Sequence, residues 1–147
     1  MADVKAQPGS NQPVIQPIRR LLVANRGEIA RRVMRTAHRM GIGTVAIYAD
    51  GDAASPFVRE ADIAIALDGR TSAQTYLDIG KVIDACRRSG ADAVHPGYGF
   101  LSENAGFAQA VIDAGLIWVG PSPAAIRGIG DKLAAKRLMQ TVGVPTL

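Results

Sequence analysis

Leu21-Leu22-Val23-Ala24-Asn25-Arg26-Gly27-Glu28-Ile29-Ala30 is the stretch on which the fold turns. Its first four residues form a short, unbroken aliphatic run, the pattern of a strand buried on both faces. Asn25-Arg26-Gly27 then turns the chain, and a helix is expected from about 27 to 40. Ile29, Val33, Ala37 and Met40 recur at helical spacing and are read as its core stripe. Glu28, Arg31, Arg32, Arg35 and Arg39 fall on the other side, and Gly41 supplies the stop. A buried strand, a tight turn and an amphipathic helix together make the repeating unit of a parallel α/β sheet.

The alternation continues outward from that unit. Further strands are expected at 44–48, 63–67, 91–95 and 116–119, all short and aliphatic. Between them Pro56 opens a short helix. A longer one runs from Tyr76 to Arg88, turns Ile79, Val82, Ile83 and Cys86 inward, and ends at Gly90. Another helix, capped by Ser102 or Asn104, reaches about Ala114. A brief helix after Gly120-Pro121-Ser122-Pro123 is expected to break at Gly128-Ile129-Gly130, and Asp131 to cap a last one ending near Val142. This is an α/β, doubly wound, Rossmann-like domain with a parallel sheet of about five strands, spanning residues 19–130. Residues 1–18, rich in Gln, Pro, Gly, Ser and Asn, read as a disordered tail. Residues 131–147 read as a helix and linker entering a further domain, and the end at Leu147 as a cut in a longer protein.

Composition narrows the class of molecule. With 48% apolar and 20% charged residues the chain suits one soluble domain, and with only 5% aromatics its core must be aliphatic. The net charge of +4 favours anionic partners without choosing among them. Cys86 is the sole cysteine, so no internal disulfide forms, which fits a reducing compartment. The start resembles neither a signal peptide nor an Arg-rich transit peptide, and no apolar run approaches the ~20 residues of a membrane helix. Cytoplasm is the expected location.

Four places invite function. The Asn25-Arg26-Gly27 turn lies where a doubly wound domain takes ligand, but Gly27 is its single glycine and Glu28 repels anions, so structural and ligand-binding readings both stay open. His95-Pro96-Gly97-Tyr98-Gly99-Phe100-Leu101-Ser102-Glu103-Asn104 follows a strand end. Gly97 and Gly99 permit close backbone approach there, and a tyrosine between two glycines is expected to project. His95 could serve as a base or only as structure. Lys132, in the first turn of a helix, sits next to the positive end of that helix's dipole, and the placement is sensible if an anion such as phosphate lies between them. The arginine face, finally, has no interleaved aromatics, which argues against nucleic acid. No metal-ligand cluster and no nucleophile–base pair is visible.

Taken in order, Val23-Ala24-Asn25-Arg26-Gly27-Glu28-Ile29-Ala30, then His95 to Asn104, then Gly120-Pro121 and Gly130-Asp131-Lys132, resemble biotin carboxylase, most closely the acyl-CoA carboxylase α-subunit type. The likeness spans residues 20–145, and pyruvate, methylcrotonyl-CoA and urea carboxylases share the same motifs. It implies the domain that precedes an ATP-grasp fold. In that family ATP activates bicarbonate as carboxyphosphate, and CO₂ passes to the ureido nitrogen of protein-linked biotin. By resemblance Lys132 would touch the nucleotide, and Tyr98 and Gly99 would line the meeting place of biotin and bicarbonate with Glu103 close by. Arg32 and Arg35 would face the partner in a homodimer. ATP, Mg²⁺ and biotin are implied as cofactors of the complete enzyme. The implied partners are the rest of the carboxylase chain, a biotin carboxyl carrier domain and a carboxyltransferase, with no nucleic acid and no membrane.

No catalytic residue is expected in this stretch, since the family's metal-binding glutamates, catalytic base and arginine lie beyond Leu147, and the piece alone is expected to be inactive. Two positions depart from the family. Phe57 stands where histidine is frequent, and Arg39 where some members carry an acid that pairs across the dimer. Two other readings compete: an NAD-binding oxidoreductase domain, which shares the sheet but requires the missing glycines, and a non-enzymatic dimerisation or regulatory module built on the basic helix.

Overall fold

A computed structural model describes residues 16–130 and 132–143. Five strands and six helices alternate among them: β1 (Arg20–Val23), α1 (Gly27–Arg39), β2 (Gly43–Tyr48), α2 (Pro56–Glu60), β3 (Ile63–Ala66), α3 (Ile79–Ser89), β4 (Ala93–His95), α4 (Ala105–Asp113), β5 (Ile117–Trp118), α5 (Pro123–Gly130) and α6 (Lys132–Thr141). All strand pairs are parallel, in the spatial order β3-β2-β1-β4-β5. Successive side chains of a strand point to opposite faces, and both faces here are covered. Leu21 and Val23 of β1 pack with Ala30, Met34 and Ala37 of α1 and Phe57 of α2. Leu22 and Ala24 pack with Val82 and Cys86 of α3 and Phe107 and Val111 of α4. Helices thus cover both sides of one parallel sheet, which is the doubly wound arrangement expected from the aliphatic runs. Burial also raises the Cys86 thiol to about 12, leaving it an inert core group.

Several details differ from the sequence reading. In α1 the fully buried residues are Ala30, Met34 and Ala37; Ile29 and Val33 are half-buried and Met40 is exposed. The apolar arc of this helix is wider than one stripe, and Ala30, Met34 and Ala37 take the part of it that meets the sheet. Helix α3 starts at Ile79, not Tyr76, because Asp78 accepts a hydrogen bond from the Lys81 N–H and so fixes the first turn. Tyr76 is instead buried in the turn before it. Helix α5 runs on through Gly128 and Ile129, and its last residue is Gly130. Gly41 and Gly90 both take the left-handed conformation that ends their helices. Phe57, read as a departure from a polar position, is an apolar anchor buried between α1 and the sheet. Residues 16–18 have no regular structure. The remainder of the expected tail, the Asp131 cap and residues 144–147 lie outside the described residues.

Candidate functional site

The strand order reverses between β1 and β4. From the carboxyl end of β1 the chain enters α1 on one face, and from the carboxyl end of β4 it enters α4 on the other. A crevice at such a point is where open α/β sheets take ligands. Two loops flank it, Ala24 to Gly27 and Pro96 to Asn104, and the structure ties them together. The Ala24 N–H donates to the His95 carbonyl at 2.9 Å. Asn25 is fully buried, and its amide nitrogen donates to the carbonyls of Pro96 (3.0 Å) and Tyr98 (2.9 Å) while its oxygen accepts the Arg26 N–H (2.9 Å). The turn that the sequence left open between two readings therefore has a structural role, which is to hold the second loop.

That second loop is tightly bent. Gly97, Gly99 and Phe100 have φ of +64°, +72° and +45°. Phe100 in this region is unusual for a residue with a side chain; its ring packs 5.2 Å from that of Tyr76, against the α3 side of the core. A Cβ at Gly97 would lie 2.7 Å from the Asn25 amide nitrogen and 2.8 Å from Ile29, so only glycine fits. Gly99 by contrast has open space around it. Between them Tyr98 is 58% exposed, projecting as expected for a tyrosine flanked by glycines. His95 is half-buried, and its Nδ1 accepts the Gly97 N–H at 2.9 Å, so the proton of the neutral ring sits on Nε2. Burial holds the His95 pKa below its usual value. Asn104, not Ser102, caps α4 by accepting the Phe107 N–H. Glu103 lies in the turn just before that cap and is exposed.

Tyr98 and His95 form one wall of a groove of about 350 Å³, whose other wall is the α1 flank of Ile29, Arg32, Val33 and Met40. All four residues read as the core stripe of α1 thus line this groove, and of them only Ala37 is also fully buried. Tyr98 and Arg32 are brought to the same groove, whereas Arg35 lines a separate one with Arg31, His38 and Glu60. Arg31 makes a two-pronged ion pair with Glu60, and Arg39 is exposed. Lys132 opens α6, but its side chain lies outside the described residues, so its distance from Tyr98 is not defined.

Sequence reasoning missed two features here. One is the role of Asn25, although a polar residue at the end of a doubly buried strand signals a required set of partners. The other is a cluster beside the site in which Asp52 accepts from Arg26 (2.5 Å) and from the Tyr76 hydroxyl (2.6 Å), with the Arg26 guanidinium 5.9 Å from the centre of the Tyr76 ring. The Ala49 N–H completes it by donating to the Tyr76 oxygen. Burial foremost, then the hydrogen bond to Asp52, raises the Tyr76 pKa and keeps the phenol protonated. These three residues are far apart in sequence and share no spacing that could have revealed them. No group of three metal-ligating side chains occurs among the described residues, and no helix among them is long and apolar enough to cross a membrane.

Fold and crevice together define a Rossmann-like α/β domain with its candidate site where the strand order reverses. Residues 17–126 match the biotin carboxylase N-terminal domain, and the chain belongs to that family. It is 59% identical over 128 residues to the biotin-dependent acyl-coenzyme A carboxylase alpha3 subunit of Mycobacterium leprae, covering 87% of this chain and 21% of that subunit. It is 54% identical to the mitochondrial methylcrotonoyl-CoA carboxylase subunit alpha of Oryza sativa, covering 87% of this chain and 17% of that one. Among solved structures, the urea carboxylase of Kluyveromyces lactis superposes with a TM-score of 0.87 at 49% identity, covering 88% of this chain and 12% of the other. The chain therefore spans about a fifth or less of each of these relatives.

Proposed function

We propose that this chain is the N-terminal part of a biotin carboxylase that uses ATP and bicarbonate to carboxylate protein-linked biotin, for transfer to an acyl-CoA. The observation that carries the reading is the Tyr98–Gly99 turn, exposed and tightly held at the reversal of strand order in a domain of this family. Open space at Gly99 beside the exposed Tyr98 suits a small fused-ring cofactor. In this reading Tyr98 and Gly99 line the meeting place of biotin and bicarbonate, Glu103 lies close to it, and Lys132 contacts the nucleotide. In this reading Mg²⁺ is held by residues of the longer chain. ATP, Mg²⁺ and biotin thus act in the complete enzyme, an ATP-grasp protein with a role in acyl-CoA and fatty-acid metabolism, which we place in the cytoplasm.

Its partners in this reading are the remainder of the carboxylase, a biotin carboxyl carrier domain and a carboxyltransferase. A second copy packs on α1, with Arg32 and Arg35 facing it. The chain supplies binding surface and no reacting group, so it is inactive alone. ATP hydrolysis is the test. The longer carboxylase hydrolyses ATP faster when bicarbonate and biotin are both present, and the isolated chain of 147 residues does not. Turnover by the isolated chain refutes the reading. In the longer enzyme Lys132→Ala raises KM for ATP, and an unchanged KM removes Lys132 from the site.

A further inference from the structure

The Tyr98–Gly99 turn is held from two sides. Asn25 donates to the carbonyls on either side of Gly97. In the same segment the Gly97 N–H is taken by the imidazole of His95 two residues earlier. Pro96 between them has no N–H and a fixed φ, which leaves this side-chain-to-backbone bond as the turn's own closure. The His95 side chain shares the α1 side of the sheet with Ala93, and lines the same groove as Tyr98 and Arg32. We propose that His95 is a positioning residue whose Nδ1, by accepting the Gly97 N–H, sets the Tyr98–Gly99 turn against the groove. The proposal rests on the reading of that turn as the biotin–bicarbonate wall.

The bond runs in one direction only. A protonated imidazole carries hydrogens on both nitrogens and would oppose the Gly97 N–H instead of accepting it. The titratable and charged groups that face His95 across the groove are Arg32 on α1 and Tyr98 on its own loop, and no carboxylate lines that groove to favour the imidazolium. Burial acts in the same direction, so the latch holds at neutral pH and opens in acid.

Amide exchange on the full chain of 147 residues tests the latch without reference to catalysis. His95→Ala speeds exchange at Gly97 about fivefold or more, the effect of losing one ordinary hydrogen bond. His95→Asn, whose carboxamide oxygen can accept the same N–H two residues on, stays within about twofold of wild type. Wild-type protection falls between about pH 8 and about pH 4.5, while that of His95→Asn does not. Equal Gly97 exchange in wild type and His95→Ala overturns the proposal, as does protection in the wild type that is insensitive to this pH range.

Kinetics of the longer carboxylase supply the second arm. His95→Ala raises KM for biotin about fivefold with kcat within about twofold, and His95→Asn restores KM. A lost latch with unchanged KM overturns the positioning role. If wild-type enzyme forms no carboxybiotin at all, the carboxylase reading fails, and the exchange arm still reports on the latch.

Discussion

Replacing Asn25 with alanine removes three hydrogen bonds at once: two donated to Pro96 and Tyr98 and one accepted from Arg26. Each net bond is worth about 1 kcal/mol, and a buried carbonyl left bare costs more than that, so the loss is about 3 kcal/mol. Water can reach the partly buried Tyr98 and Arg26 ends, which keeps the figure from rising further. With a urea m-value of about 1.5 kcal/mol per molar, the unfolding midpoint drops by about 2 M. Trp118 is the sole tryptophan, packs edge-on to Phe107 at 5.5 Å, and reports unfolding by fluorescence. The same variant loosens the Pro96–Tyr98 segment, so amide exchange at Gly97 rises even in urea-free buffer. A midpoint shift under about 0.3 M would show that Asn25 is not the tie between the two loops.

Two further outcomes follow from the core and from titration. Phe57→Ala empties a site between α1 and the sheet and costs about 3–5 kcal/mol by thermal or urea unfolding, while Phe57→Leu costs far less; equal losses would place Phe57 outside the core. The Asp62 carboxyl sits below its usual pKa, first because it accepts the Thr44 backbone N–H and then through Thr44 and His38 side chains. Its contribution to stability is therefore complete above the ordinary aspartate range and is lost as pH falls through the lowered value. Asp62→Asn flattens that part of the stability–pH curve, and an unaltered curve would refute the assignment.

Much of the fold was legible because both-face burial writes itself as aliphatic runs. Leu21 to Ala24 and Thr44 to Tyr48 could hardly be anything but central parallel strands. The face that α1 buries was not legible, since Ile29, Ala30, Val33, Met34, Ala37 and Met40 are all apolar and periodicity cannot rank them. Ala30, Met34 and Ala37 turn to the sheet, and Ile29, Val33 and Met40 line the groove. The projecting Tyr98 was visible from its two glycines, and Arg32 joins it in that groove. The ties that hold the loop were not visible, because Asn25 meets Pro96 and Tyr98 only once β1 and β4 lie side by side. The Arg26–Asp52–Tyr76 cluster is hidden for the same reason, its members arriving from three separate strand ends.

Fixation of radiolabelled bicarbonate onto biotin by the longer carboxylase decides whether this domain serves carboxylation. The account requires label in biotin that depends on ATP and falls sharply when Tyr98 is replaced by alanine, in a protein that remains folded. Full incorporation in that variant would contradict the place given to Tyr98, and no ATP-dependent incorporation by the wild type would contradict the carboxylase account itself.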